Sequence, residues 1–111
     1  MEPHAATVAW VADELIVHDC SQSVTHEAWS LAEIFGLRQE QVHVSSPYLG
    51  GGFGGKLIWQ HQILAVAAAK LAQRPVQIAL SRKGVYRVVG GRTPPSSGWV
   101  SAPRRTGAST R

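Results

Sequence analysis

The chain has 111 residues, 44% of them hydrophobic, and a formal charge of +4 at pH 7, which suits one modest domain with a real core and excludes wholesale disorder. No stretch approaches the roughly 18 consecutive apolar residues of a membrane span, and acidic Glu2 followed by Pro3 is unlike the basic start of a secretory leader. The single cysteine, Cys20, forms no internal disulfide and reads as a small buried hydrophobe, and His4, His18, His26, His43 and His61 lack the paired spacing of a zinc site.

Charge is distributed unevenly. All seven carboxylate side chains lie in the first forty residues, and ten of the eleven lysines and arginines lie after them. Such a basic second half fits anion binding, to cofactor phosphates or to nucleic acid, and equally fits a solvated face whose acidic partners belong to the rest of a larger protein. The cysteine content is compatible with a reducing compartment, so the cytoplasm is expected ahead of the periplasm.

Thr7 to Val11 and Leu15 to Asp19 are strand-like runs rich in Val, Ile and Trp, and Ala12-Asp13-Glu14 between them predicts a hairpin. After Ser21-Gln22-Ser23 the period changes. Ala28, Leu31, Ala32 and Phe35 share one helical face, with Trp29 beside them and Glu27 and Glu33 expected outside. Ser23 is placed to cap the amino end and Gly36 to take the left-handed position past the carboxyl end, so a helix is predicted over about 24–35.

Gln41 to Ser45 alternates polar and apolar as a strand does and leads through Pro47-Tyr48 into a run of glycines. Ile58 to Gln73 is apolar almost all round, which predicts a helix buried on several sides and ended by Pro75. Val76, Ile78 and Leu80 alternate as a further strand. The order β-hairpin, α, β, glycine loop, α, β makes a mixed α/β unit with its loop at a strand's carboxyl end, where such folds hold ligands. Residues 95–111, rich in Pro, Ser, Thr and Arg, show no period and are expected to form a disordered basic tail.

Gly50-Gly51-Gly52-Phe53-Gly54-Gly55-Lys56 is the most informative segment. Five glycines around one phenylalanine let backbone amides approach a bound group closely, and glycine's access to positive φ lets successive N–H groups converge on an anion. Two common phosphate-binding patterns fail on their other requirements. Leu57 stands where a P-loop needs Ser or Thr, and no acid follows Glu40 to hold the ribose of a dinucleotide or to complete a magnesium site.

The joint pattern is more specific. Met1-Glu2-Pro3-His4-Ala5-Ala6, the glutamine of Asp19-Cys20-Ser21-Gln22, Phe35-Gly36-Leu37 leading to Val42-His43-Val44, the glycine run, Arg74-Pro75-Val76 and Gly91-Arg92 resemble, in order and spacing, the molybdopterin-binding subunit of the xanthine dehydrogenase and aldehyde oxidase family. The resemblance covers residues 1–94 and implies a partial molybdopterin-binding domain. It implies a molybdenum-molybdopterin cofactor, plain or as a dinucleotide, that hydroxylates aldehydes or nitrogen heterocycles with oxygen from water. Electrons would leave through iron-sulfur clusters to FAD on partner subunits or domains.

By position, Gln22 resembles the glutamine whose amide hydrogen-bonds an oxygen at molybdenum. Gly51, Gly52, Phe53, Gly54 and Gly55 resemble the loop whose amides face the same group, and Phe53 would also anchor the loop. Lys56 would offset anionic charge or stay solvated. Leu57 occupies the position of a purine-binding glutamate in some relatives, and its apolar side chain favours an aldehyde or other less polar substrate. No carboxylate follows Glu40, so the family's general-base glutamate has no counterpart here, and the resemblance implies a fragment without turnover of its own.

The tail and the start at Met1 are what a frameshifted or truncated gene would give, so a non-functional product is one alternative. A small basic module gripping nucleic acid is the other. The placement of Trp10, Trp29 and Trp59 inside predicted core elements argues against it, because base stacking needs exposed aromatics.

Overall fold

A computed structural model describes residues 2–58 and 60–89. Its elements are β1 (Ala5–Val11), β2 (Glu14–Asp19), α1 (Val24–Phe35), a 3₁₀ turn (Gln39–Gln41), β3 (Val42–Ser45), α2 (Gln60–Ala72), β4 (Val76–Ala79) and α3 (Arg82–Val88). The fold is α/β, as the element order predicts, with the 3₁₀ turn and α3 as additions. Ser81 starts α3 by accepting the Gly84 N–H on its hydroxyl at 3.1 Å.

The four strands form one mixed sheet in the order β3-β2-β1-β4. β1 runs antiparallel to both β2 and β4, whereas β2 and β3 are parallel. Register pairs Val8 with Val17 and Trp10 with Leu15, and the period-2 alternation then sends Val8, Leu15 and Val17 to one face. There they are fully buried together with Leu31 and Ala32 of α1 and Ala65, Val66 and Ala69 of α2. α1 packs on β3, and α2 packs on β1 and β4. Each large aliphatic side chain so buried contributes on the order of 1.5–3 kcal/mol. The opposite sheet face carries cross-strand polar pairs: His18 with Ser45 at 2.5 Å, His43 with Glu14 at 3.3 Å, and Gln77 with Thr7 at 2.9 Å.

Helix α1 matches its expected span, and Gly36 takes the left-handed conformation at φ 66°. Three details differ. Ser23 makes no side-chain cap; instead its N–H donates to the Ser21 hydroxyl at 3.2 Å. Trp29 is half exposed rather than in the core. Glu27, expected outside, is buried, because it stands four residues before Leu31 and so shares its face. Trp10 is half-buried with its indole N–H on the Val66 carbonyl at 3.2 Å, while Trp59 lies outside the described residues.

Among the described residues, helix α2 is covered on one side only. His61, Gln62, Ala65, Val66 and Ala69 are buried, whereas Leu64 and Leu71 are exposed. The sequence pattern of burial on several sides therefore exceeds what this chain's own sheet covers. Gln73 ends the helix in the left-handed region at φ 54°, ahead of Pro75, which cannot continue it. No helix among the described residues is long and apolar enough to cross a membrane. The expected tail, residues 95–111, lies outside the described residues.

Candidate functional site

Sheet topology gathers the site. Because β2 and β3 are parallel neighbours, the segments leaving their carboxyl ends emerge together: Gln22 after β2, and the glycine loop after β3. β1 runs the other way, so the residues that precede it, Glu2 and His4, arrive at the same end. Three segments far apart in sequence thus meet at one edge.

Two hydrogen bonds join Gln22 to the end of the loop. Its backbone N–H donates to the Lys56 carbonyl at 2.7 Å, and its side-chain Oε1 accepts the Lys56 N–H at 3.0 Å. With Oε1 occupied, Nε2 remains the open donor of the carboxamide. Gly52 lies directly against this side chain. A Cβ there would stand 2.6 Å from Gln22 Oε1, so the approach requires glycine.

The loop turns tightly between Gly52 and Gly55, whose N–H donates to the Gly52 carbonyl at 2.8 Å. Phe53 and Gly54 at its centre have φ 50° and 81°, the left-handed values of a type I′ turn. A phenylalanine in that region is strained by about 1–2 kcal/mol. Its ring is 86% exposed, so within this chain Phe53 does not anchor the loop as expected. The N–H groups of Gly51, Gly52, Phe53 and Gly54 have no hydrogen-bond partner among the described residues, and neither has Gln22 Nε2. Five donors therefore stand open on one short stretch of surface.

Lys56 is neither solvated nor available to an anion. Its side chain is fully buried and paired with Glu2, whose Oε2 also accepts the Gly50 N–H at 3.0 Å. The Lys56 contact and the Gly50 bond hold the Glu2 carboxyl below its usual range. The glycine loop thus presents amide dipoles without a free side-chain cation, which weakens the polyanion-grip reading. Leu57 is 38% exposed and stands apart from the core cluster, and its carbonyl accepts from Gln62 Nε2 at 2.9 Å.

Beneath the loop lies a buried polar group that the sequence reading missed: His4, Asp19, Ser21, Glu27, His61 and Gln62. His4 Nε2 bonds the Gly55 carbonyl at 2.6 Å, and the His4 ring stands edge-on to His61 with centroids 5.5 Å apart. Gln62 Nε2 donates to Asp19 Oδ2 at 2.7 Å, and His61 Nε2 lies 3.9 Å from Asp19 Oδ1. Burial raises Asp19, but His61 beside it and the Gln62 hydrogen bond outweigh that, so its carboxyl is lowered overall. Glu27 goes the other way. Burial first, then the neighbouring Asp19 charge, push it up to about 8, so it is a neutral acid at pH 7. A signal existed for these residues: His61 and Gln62 stand four positions before buried Ala65 and Val66, as Glu27 does before Leu31.

A cavity of about 480 Å³ lies at the opposite end of the sheet. It is lined by Trp10, Ala12, Asp13, Leu37, Lys70 and Gln73 among others, and includes no residue of the glycine loop. The open donors sit on a surface, not in a closed pocket.

The donor set fits the polar, oxygen-rich end of a metal-pterin cofactor: amides without intervening side chains, a carboxamide N–H₂, and a cradle that a Cβ at Gly52 would fill. Comparison with known proteins points the same way. The chain is 37% identical over 86 residues to the aldehyde oxidoreductase molybdenum-binding subunit PaoC of Escherichia coli K12, a match covering 77% of this chain and 12% of that protein. It is 35% identical over 98 residues to the abscisic-aldehyde oxidase of Arabidopsis thaliana, covering 85% of this chain and 7% of that one. The aldehyde oxidoreductase structure of Desulfovibrio gigas superposes with a TM-score of 0.74 at 26% identity, over 82% of this chain and 10% of the other. The chain therefore spans a small part of the length of these relatives. The molybdopterin cofactor-binding domain family matches residues 1–109, and the chain belongs to that family.

Proposed function

We propose that this chain forms part of the cofactor-binding region of a molybdenum hydroxylase of the aldehyde-oxidoreductase type. Gln22 Nε2 and the amides of Gly51, Gly52, Phe53 and Gly54 would hold the metal-bearing end of molybdopterin, and Gly55 would close the turn that shapes them. When bound, the cofactor supplies a two-electron redox centre at which an aldehyde or nitrogen heterocycle gains an oxygen from water with release of two protons and two electrons. The electrons would pass to iron-sulfur clusters and FAD on partner subunits or domains.

The chain's own residues orient and exclude. Gln22 is fixed at both its backbone and its side chain to Lys56, so its free N–H₂ is preorganised before any ligand arrives. Leu57, apolar and partly exposed beside the loop, favours an aldehyde over a purine, since it offers a substrate no side-chain hydrogen bond. Residues 41–111 contain no carboxylate, so the general base would come from another part of a complete enzyme, and this chain by itself would not turn over.

The observation that carries this reading is that five donors, unpartnered among the described residues, lie on one short stretch where Gly52 packs against Gln22. The test is retention of cofactor: the purified chain is mixed with molybdopterin released from a molybdenum hydroxylase, desalted, and assayed for pterin fluorescence and for molybdenum. Near-stoichiometric pterin in the wild type, with affinity falling tenfold or more in Gln22→Ala, is expected, because one charge-assisted donor is worth on the order of 1.5–3 kcal/mol. Retention unchanged by Gln22→Ala, or none in the wild type, overturns the proposal.

A further inference from the structure

One oxygen atom ties both ends of the glycine loop to the segment before β1. Glu2 Oε2 accepts the Gly50 N–H at 3.0 Å and also contacts the Lys56 ammonium, partners 48 and 54 residues away in sequence. At the far end, Lys56 is the residue whose N–H and carbonyl both bond Gln22. Any displacement of Lys56 therefore displaces the N–H donor that fixes the direction of the Gln22 carboxamide. We propose that Glu2 is a positioning residue: its carboxylate, seated between the Gly50 amide and the Lys56 ammonium, holds the loop in the one shape that leaves Gln22 Nε2 and the four loop amides open together.

The packing supports this from both ends. A Cβ at Gly50 would stand 2.8 Å from Glu2 Cβ, just as one at Gly52 would stand 2.6 Å from Gln22 Oε1. Each of these glycines is thus required by the approach of one polar side chain, Glu2 at the start of the loop and Gln22 at its middle. Lys56 has no exposed surface on its side chain, so water cannot replace Glu2 as its partner. Charge-assisted bonds are stronger and more directional than neutral ones, which suits a joint that must resist the strain of Phe53 at positive φ. The lowered carboxyl of Glu2 keeps it charged across the neutral range.

This inference rests on the function proposed above only for what the donors bind; the clamp itself concerns the free chain. Hydrogen exchange of single amides, followed by NMR, tests it. Glu2→Gln strips the carboxylate from a buried ammonium and risks unfolding the chain, so Glu2→Met/Lys56→Met, which fills the same space with apolar groups, is measured beside it. In the double variant, exchange at Gly50 and Lys56 is expected to quicken tenfold or more relative to the β1–β2 ladder amides, with a shift of the Gln22 side-chain N–H₂ resonances. The proposal is overturned if Gly50 and Lys56 keep their wild-type protection, or if the ladder amides lose protection in parallel, which would mark a role in global stability alone. Pterin retention separates the two readings. A wild type that binds no pterin while the clamp amides respond as stated refutes the function and leaves the clamp; a double variant that retains pterin as well as wild type refutes the clamp.

Discussion

The two buried regions of this molecule are built on opposite principles. Under the sheet, Val8, Leu15, Val17, Leu31 and Val66 exclude water with aliphatic side chains alone. Beneath the glycine loop, His4, Asp19, Glu27, Lys56, His61 and Gln62 are equally buried, yet carry ionisable or amide groups. The first region gains free energy from every residue it buries. The second loses hydration at each one and recovers it only where a partner is found, as at Lys56 with Glu2 or Gln62 with Asp19. Both Glu27 carboxyl oxygens and both His61 ring nitrogens find no hydrogen-bond partner among the described residues. A fold keeps such a group where position matters more than stability, and here it gathers around Asp19 and His4, the latter bonded to the end of the glycine loop.

The apolar region should carry most of the stability. Leu31→Ala is expected to cost about 3–5 kcal/mol in urea unfolding, because α1 alone fills that part of the core against β3. A loss below about 1 kcal/mol would mean the two regions carry similar weight.

The polar side should show itself in pH. Glu27 has a folded pKa of about 8, raised above its ordinary value of 4.5. The folded chain thus holds a proton that the unfolded chain has released. That stability is fully present below about pH 4.5 and is lost as pH rises toward 8, by up to about 1.4 kcal/mol per unit. Asp19, lowered, contributes in the opposite sense and only in acid, where stability falls as it protonates. Urea midpoints measured from pH 5 to 8 should fall with rising pH in the wild type and flatten in Glu27→Gln, which keeps the shape without the charge. A wild-type profile already flat would mean Glu27 is solvated and ionised.

The sharpest and smallest contrast lies inside the loop. A methyl at Gly52 would strike Gln22 Oε1, whereas a methyl at Gly54 would meet nothing within 4 Å and suffer only its φ of 81°. Gly54→Ala is expected to cost about 1 kcal/mol by thermal melting with the Gln22 side-chain resonances unmoved. Gly52→Ala should cost a similar 1–3 kcal/mol and shift those resonances, since the carboxamide must give way. Equal resonance shifts in both variants would show that Gln22 follows general loop strain and not contact with Gly52.

Much of the fold was legible in the chain because it rests on local periods. The alternation of Val8, Leu15 and Val17 and the four-residue spacing of Ala28, Leu31, Ala32 and Phe35 fix strand and helix faces with no knowledge of partners. Gly36, with no Cβ to oppose positive φ, announces the helix end by itself. The density of glycine around Phe53 likewise marks a backbone that something must approach closely.

Tertiary structure alone decided who the partners are. That Lys56 is buried on Glu2, that Gly52 must be bare because Gln22 lies on it, and that Glu27 belongs inside beside Asp19 all depend on contacts between residues up to 54 positions apart. Local chemistry assigns a lysine or glutamate to water by default, since an isolated charge is costly to bury. Only the parallel pairing of β2 with β3, which delivers Gln22 and the loop to one sheet end while β1 returns Glu2 and His4 to it, supplies the partners that reverse that default.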